Sequence, residues 1–345
     1  MRISDFDYEL PPELIAQHPL TKRDDARMLV INRKDETWFD SRFLKLPTYL
    51  QAHDLLVINN TRVFRARLQG KREPTGGRVE VLLVREVEPL RWQALIRTGQ
   101  RLKRGARLEF GEKLLRAEVV DNPGQELREL RFECEGPLRE LLEKIGQVPL
   151  PPYIKRPAGI GEDDSARYQT IFARETGAIA APTAGLHFTP AVLDAVRSRS
   201  VEIAEITLHV GYGTFEPVRV ENIEEHKVAP ESIHISAQAA RSINETRSRG
   251  GRVFATGTTT TRALESAVSA DGMICSQQKD VSLTIIPGHQ FRIVDALVTN
   301  FHLPCSSLLM LVCAFAGRDL ILNAYRHAVR VGYRFYSYGD CMLII

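Results

Sequence analysis

The chain has 345 residues, 43% of them hydrophobic and 26% charged, with a formal net charge of +3. That composition buries a sizeable core and argues against intrinsic disorder, and the length suits one large or two modest domains. A charge so near neutral does not by itself indicate nucleic acid, and five widely spaced cysteines with no CxxC pair argue against a disulfide framework or structural zinc and fit a reducing cytoplasm. The N-terminus lacks an apolar signal core, and the most apolar stretch, 308–316, is too short to span a bilayer, so no membrane attachment is expected.

In chain order, Pro12 sits where a first helical turn tolerates proline, which predicts a short helix within 10–18. The runs 28–31 (Met-Leu-Val-Ile) and 55–58 (Leu-Leu-Val-Ile) read as buried strands, and Asn59-Asn-Thr61 breaks the second. From Arg62 the texture changes. Residues 62–110 hold 13 Lys or Arg against 5 Asp or Glu, a local charge of +8 in an otherwise acidic chain. A solvated basic face is the plainer reading, and a polyanion-contacting module the sharper one. Short segments at 78–84, 91–96, 107–110, 114–120 and 127–132 are separated by Gly76-Gly77, Gly99, Gly105, Gly111 and Asn122-Pro-Gly124. They predict a small antiparallel β-barrel, with a helix over 136–144 leading out. Beyond Pro149-Leu-Pro-Pro152, strand-like runs (203–210, 252–255, 281–286) alternate with helix-like ones (190–198, 237–247, 306–315, 320–329), which predicts a layered α/β domain. The first strands are too few to stand alone. The expected organisation is an α/β domain from 1–61 plus 150–345, with a basic barrel domain, 62–149, inserted.

Several stretches carry chemistry, each with a plainer alternative. Gly177-Ala-Ile-Ala-Ala-Pro-Thr-Ala-Gly-Leu-His-Phe-Thr-Pro190 reads as strand, tight loop and helix, with Thr189 as N-cap. Ala181, Ala184 and Gly185 admit a ligand close to the backbone, and His187 lies just before a helix start; an ordinary capped connection reads the same. Gly257-Thr-Thr-Thr-Thr261 reads as a hydroxyl-rich loop between a strand and a helix over 262–266, suited to a carboxylate or phosphate, or merely to capping. It is neither a Walker loop nor GxGxxG. At the end of 206–210, His209 precedes Gly211 and Gly213, which permit a bend exposing Tyr212 near Glu216; this suits a pocket, or a structurally satisfied histidine. Asp295-Ala-Leu-Val-Thr-Asn-Phe-His-Leu-Pro304 offers Asp295 and His302 as an acid–base pair, or a polar network stitching sheet to helix. Pro149-Leu-Pro-Pro-Tyr-Ile-Lys-Arg156 is a stiff basic linker whose Tyr153 suits stacking on a base, or a rigid junction. Cys305 stands at a helix start that can lower a thiol pKa, but no base accompanies it, which makes it a bystander.

Together these stretches closely resemble one family, the S-adenosylmethionine:tRNA ribosyltransferase-isomerases of queuosine biosynthesis. The likeness runs nearly end to end, through Asn59-Asn-Thr-Arg-Val63 with Ala66-Arg-Leu68, Pro151-Pro-Tyr-Ile154, Tyr168-Gln-Thr170, Ala180-Ala-Pro-Thr-Ala-Gly-Leu-His-Phe188, Leu208-His-Val-Gly211 with Gly213-Thr-Phe215, Gly257-Thr-Thr259 with Arg262-Ala-Leu-Glu-Ser266, Val294-Asp-Ala-Leu297 with Thr299-Asn-Phe-His-Leu-Pro304, and Tyr333-Arg-Phe335 with Ser337-Tyr-Gly-Asp340.

The resemblance implies a barrel domain and an α/β domain in a monomeric cytoplasmic enzyme without metal. S-adenosylmethionine would be the ribosyl-donating co-substrate. The partner would be tRNA bearing 7-aminomethyl-7-deazaguanine at the wobble position. The ribosyl group would move onto that amine and rearrange, adenine and methionine would leave, and epoxyqueuosine-tRNA would result. The sulfonium acidifies the C5′ hydrogen, so a base is required: His209 or Asp295, with His187 and His302 as alternatives; adenine departure needs a proton donor. Thr258, Thr259 and Thr260 suit the methionine carboxylate, and Thr183, Gly185, Gly211, Gly213 and Asn300 the remainder of the co-substrate. Arg62 and Arg67, with Tyr153, Lys155 and Arg156, suit RNA.

Four features depart from the family pattern. Asn60 replaces an Asp, His226-Lys-Val-Ala-Pro-Glu231 lacks a Met-His pair, Cys305 replaces a basic residue and His289 replaces a Tyr. They leave open a paralogue acting on another modified base. Against a non-catalytic RNA-binding protein stand the intact His187, His209, Asp295 and His302. Against a methyl-transferring enzyme stands the absent glycine-rich loop.

Overall fold

The computed structural model describes residues 1–99, 102–121, 127–156, 159, 161–215 and 218–345. The turn expected at Asn122-Pro-Gly124, and Glu216, lie outside the described residues. The first apolar run becomes strand β1 (Arg27–Asn32). An edge strand, β2 (Thr37–Arg42), precedes β3 (Leu55–Asn59), whose residues are all buried as in a strand covered on both faces. After the short β4 (Thr61–Val63) the chain enters the barrel, formed by β5 (Arg67–Arg72), β6 (Arg78–Glu88), β7 (Arg91–Thr98), β8 (Arg107–Phe110), β9 (Leu115–Asp121) and β10 (Leu127–Glu133). They close in the order β10-β7-β6-β5-β8-β9. Alternate side chains such as Val79, Val81, Leu83, Leu108 and Phe110 fill the interior, and helix α1 (Leu138–Ile145) adds Leu138, Leu141 and Leu142 to the same core.

The chain continues through α2 (Glu162–Arg167), β11 (Glu175–Ala178), α3 (Pro190–Arg197), β12 (Glu202–Leu208), β13 (Glu231–Ile235), α4 (Ala237–Ser248), β14 (Val253–Thr256), α5 (Thr258–Ser266), β15 (Gln277–Val281), β16 (Ala296–Asn300), α6 (Ser307–Ala316), α7 (Arg318–Arg330) and β17 (Cys341–Ile344). Nine strands form one mixed sheet in the order β15-β13-β12-β3-β14-β16-β17-β1-β2. The side-chain period of two splits each buried strand between two cores. Leu55, Val57, Ala255 and Leu297 face a core shared with α4 to α7, while Leu56, Ile58, Phe254 and Val298 face one shared with α3 and the turn carrying Phe43 and Leu46. The result is the expected layered α/β arrangement with a closed antiparallel barrel.

Local expectations needed correction. Pro12 opens only a single 3₁₀ turn, Pro12–Leu14. The third expected strand, 281–286, is displaced: β15 ends at Val281, and the apolar residues beyond it cover the core without pairing, Ile285 fully buried and Leu283 and Ile286 partly so. The threonines are not a loop, because α5 already begins at Thr258. Among the described residues no single helix is long and apolar enough to cross a membrane.

Candidate active site

Strands β12, β3, β14 and β16 run parallel, so their C-terminal ends share one edge of the sheet. The segments leaving that edge begin at Asn59, His209, Gly257 and Asn300. The chain passes from β12 on one side of β3 to β14 on the other, the kind of switch at which open α/β sheets take ligands.

Two depressions meet there. The inner one is a narrow polar pit lined by Thr258 and Thr259, Asn300 and His302, Tyr153 and Thr183 among others. Gly257 turns β14 into α5 at φ +92, a conformation that favours glycine. The first intrahelical bond runs from Thr261 N to Gly257 O, so the amides of Thr258, Thr259 and Thr260 have no partner within the helix. Thr260 and Thr261 return their hydroxyls to Thr256 O (2.6 Å) and Gly257 O (3.2 Å). Thr258 and Thr259 line the pit, whereas the side chain of Thr260 serves the helix.

Asn300 organises the pit. Its Nδ2 donates to Tyr336 O (2.8 Å) and Ser337 O (3.3 Å), which leaves Oδ1 to accept from His187 Nε2 (3.1 Å). His302 Nε2 lies 3.0 Å from Thr299 Oγ1. Burial holds the His187 imidazole at about 4 and that of His302 at about 3, so both are neutral at pH 7.

The outer depression is a cleft of about 750 Å³ between barrel and sheet. The barrel contributes Phe64, Trp92 and Leu127, α1 contributes Arg139 and Leu142, and the sheet side contributes His209, Tyr212 and Glu231. Phe64 and Trp92 pack with ring centroids 5.6 Å apart. The Trp92 indole nitrogen is buried without a hydrogen-bond partner among the described residues. Val210 lines both depressions, so the strand end carrying His209 is their shared wall.

Three segments hold His209. Thr61 Oγ1 lies 2.8 Å from Nδ1, the backbone N–H donates to Ser232 O (2.9 Å), and the ring packs on Gly177, where an added Cβ would stand 2.7 Å from the imidazole Cε1. Burial lowers its pKa, Glu175 opposes this and Arg139 adds to it. Below it, Glu231 pairs with Arg262 at 2.8 Å, both fully buried, and its Oε1 accepts from Gly211 N (3.0 Å).

Several expected site residues lie elsewhere. Asp295 precedes β16 while His302 follows it, so the sheet separates them and they form no acid–base pair. Five strand rises put Asp295 about 16 Å from Asn300. The Asp295 carboxylate accepts from Val253 N (2.8 Å) at the opposite edge. Gly185 is a packing residue, its Cα facing Thr170 and Phe172. Gly211 borders the cleft, while Gly213 packs on Ala229; neither has a positive φ. Tyr212 is half-buried against the barrel core rather than exposed. Tyr153 is not a surface platform: it bonds Ser337 Oγ and packs edge-on against Tyr336 in the pit. Arg67 is tied to Glu80 (2.7 Å) and Arg156 to Asp164 (2.8 and 2.7 Å), whereas Arg62 and Lys155 are exposed.

Three of the four departures from the family pattern have the following surroundings. Asn60 donates to Glu205 (3.1 Å) and accepts from Thr207 (2.7 Å), where an aspartate would oppose a second carboxylate. The Cys305 thiol is pushed up by burial and by Asp7, not lowered. His289 lies 3.8 Å from Glu265, whose carboxylate accepts three backbone N–H groups from Arg292, Ile293 and Val294. Phe64, Trp92 and the Glu231–Arg262 pair had no separate signal: each reads in sequence as core or as surface charge until the fold brings it to the cleft.

A sheet whose C-terminal edge carries amides, amide side chains and neutral imidazoles, facing an inserted barrel across a deep cleft, defines a two-part α/β enzyme scaffold. The chain belongs to the family described as queuosine biosynthesis protein, whose model matches residues 3–344. Relatives named S-adenosylmethionine:tRNA ribosyltransferase-isomerase are 50% identical in Pelotomaculum thermopropionicum and 51% in Moorella thermoacetica, each alignment covering 100% of both chains. A solved structure of S-adenosylmethionine tRNA ribosyltransferase from Thermotoga maritima is 36% identical, with a TM-score of 0.56, covering 99% of this chain and 100% of that one. Among the described residues, no group of three or more His, Cys, Asp or Glu is placed to hold a metal ion.

Proposed function

We propose that this chain is an S-adenosylmethionine:tRNA ribosyltransferase-isomerase acting on 7-aminomethyl-7-deazaguanine at the wobble position of tRNA, with epoxyqueuosine-tRNA, adenine and methionine as products. The observation that carries the reading is the junction at His209 and Val210, where a pit edged by helix amides that have no partner within their helix meets an aromatic-walled cleft. The amides of Thr258 and Thr259 suit the carboxylate of the methionine moiety. Phe64 and Trp92 suit a purine-like ring by stacking. The co-substrate supplies the ribosyl group and, through its sulfonium, an acidified C5′ hydrogen. His209, neutral and held through Nδ1 by Thr61, presents Nε2 as the base. Asn300, with His187 behind it, offers fixed polar contacts to the pit.

Incubation with S-adenosylmethionine and precursor tRNA tests the reading. Adenine and methionine should form together and only with RNA present. S-adenosylhomocysteine would indicate methyl transfer, and binding without turnover a non-catalytic protein. His209→Ala should abolish adenine release with the fold intact; near-normal release would overturn the assignment of the base.

A further inference from the structure

On the far side of His187 from the pit lies a second small depression, lined by Arg23, Arg167, Tyr338, Leu20 and His187 itself. Arg23 comes from the turn Arg23–Asp25 before β1, and Arg167 ends α2. Both guanidinium groups donate to backbone carbonyls: Arg23 to Leu186 (3.0 Å) and Ala166 (3.3 Å), Arg167 to Thr21 (3.2 Å) and Leu20. Neither has a carboxylate ion-pair partner among the described residues. Of the carboxylates of this region, Asp164 is engaged by Arg156 and Asp340 by the backbone of Arg27 and Arg334, Asp24 accepts from Thr189, and the exposed Asp163 acts on Tyr338 through its charge alone. Two cations therefore face each other, and their mutual repulsion adds to burial in lowering the Arg23 pKa.

The same place holds unused donors. Tyr338 is 4% exposed, and among the described residues its hydroxyl has no hydrogen-bond partner; the Arg167 Nε–H is also buried and has none among them. Buried donors without acceptors are costly unless something completes them. Two half-buried guanidinium groups and a phenol match a tetrahedral oxyanion, which accepts charge-assisted hydrogen bonds from several directions. Lys22, exposed and next to Arg23 in the chain, adds a further positive charge.

We propose that Arg23, Arg167 and Tyr338 form a phosphate-binding subsite that holds one backbone phosphate of the RNA. This deepens the preceding reading and rests on RNA being the substrate. The subsite differs from Arg156 and Arg67, whose guanidinium groups are already committed to Asp164 and Glu80. It also touches the active-site pit, because Ser337 lines both and His187, which walls the depression, bonds Asn300.

The test is equilibrium binding of an unmodified tRNA transcript over a KCl series, with thermal melting of each protein alone. Arg23→Gln and Arg167→Gln should each weaken binding about tenfold at low salt and reduce the slope of log affinity against log salt by about 1. Arg167→Lys should keep the slope, and Tyr338→Phe should weaken binding a few-fold without changing it; these two variants decide the matter if a glutamine variant fails to fold. In a parallel arm, inorganic phosphate should raise the melting temperature of the wild type more than that of Arg167→Gln. Unchanged affinity and slope in all folded variants would overturn the subsite. Phosphate stabilisation that depends on Arg167, with RNA slopes unaltered, would reassign it to free phosphate and overturn the RNA assignment. Slope loss with no adenine release from any RNA would leave the subsite standing and remove the proposed reaction. Normal turnover with unaltered slopes would do the reverse.

Discussion

His209 depends on three segments remote in sequence: Thr61 beyond β3, Gly177 in β11 and Ser232 in β13. Gly177 is required for proximity, since its φ is not in the left-handed region and an alanine would fit the backbone but meet the imidazole. Gly177→Ala should therefore shift the ring and reduce kcat by about 100-fold, the scale of a small misplacement at a reacting centre, with the melting temperature changed by only a few degrees. Near-wild-type kcat would show that the ring position is not critical. The charge environment gives a second prediction. A catalytic base must be neutral, and burial, reinforced by Arg139, holds the His209 pKa below its ordinary value. The acid limb of kcat/KM should then lie below about pH 6.5. Arg139→Gln removes a cation that disfavours the imidazolium, so it should move that limb to higher pH. Glu175→Gln removes an anion that favours it and should move the limb lower. Identical limbs in both variants would assign the limb to another group.

Helix α5 is the element on which pit and cleft both turn. Its N-terminus presents the Thr258 and Thr259 amides, and its second turn sends Arg262 to Glu231 on β13. Removing one partner leaves an uncompensated buried charge, so Glu231→Leu or Arg262→Met should each cost about 3–5 kcal/mol by urea unfolding. The double variant Glu231→Leu with Arg262→Met should recover much of that loss; strict additivity would mean that the two side chains are not coupled. Sequence had shown this helix incompletely. Four consecutive β-branched residues read as a loop, and only the fold shows Thr260 and Thr261 satisfied by carbonyls one turn back. Strands β1, β3 and β14 were legible because burial on both faces demands continuous apolar runs, and β12 because its apolar residues alternate with polar ones. Strand β2 was not, since Thr37-Trp-Phe-Asp-Ser-Arg42 is an exposed edge, and β5 buries only Leu68 fully. The C-terminal-edge residues His209, Thr258, Thr259 and Asn300 were legible as strand-to-loop polar clusters. Asp295 lies elsewhere because closeness in sequence is not closeness in space: a five-residue strand carries the chain from one edge of the sheet to the other.

At the scale of the molecule, barrel and sheet each complete a core of their own and share the cleft, across which Arg85 on β6 reaches Asp280 on β15 at 3.0 Å. Both groups are substantially exposed, a setting in which an ion pair contributes at most about 1 kcal/mol. Polar groups sunk in the α/β core weigh more in the balance of the whole molecule. His187 and His302 are buried and neutral, with pKa values near 4 and 3, whereas an unfolded imidazole titrates near 6.5. Below pH 6.5 the unfolded chain binds protons that the folded chain refuses, so stability is present above that pH and declines as pH falls toward the folded values. Between pH 7 and pH 5 each histidine should account for about 2 kcal/mol of that decline. Carboxylates also titrate toward the lower end, so the decisive measurement is a difference. Urea unfolding of wild type and His302→Gln at both pH values should give a decline smaller by about 2 kcal/mol in the variant, whatever its absolute stability, and His187→Gln should behave alike. Parallel declines would mean that the folded chain takes up protons at these positions as readily as the unfolded chain does. Burial of these two imidazoles would then carry no acid-dependent penalty for the fold as a whole.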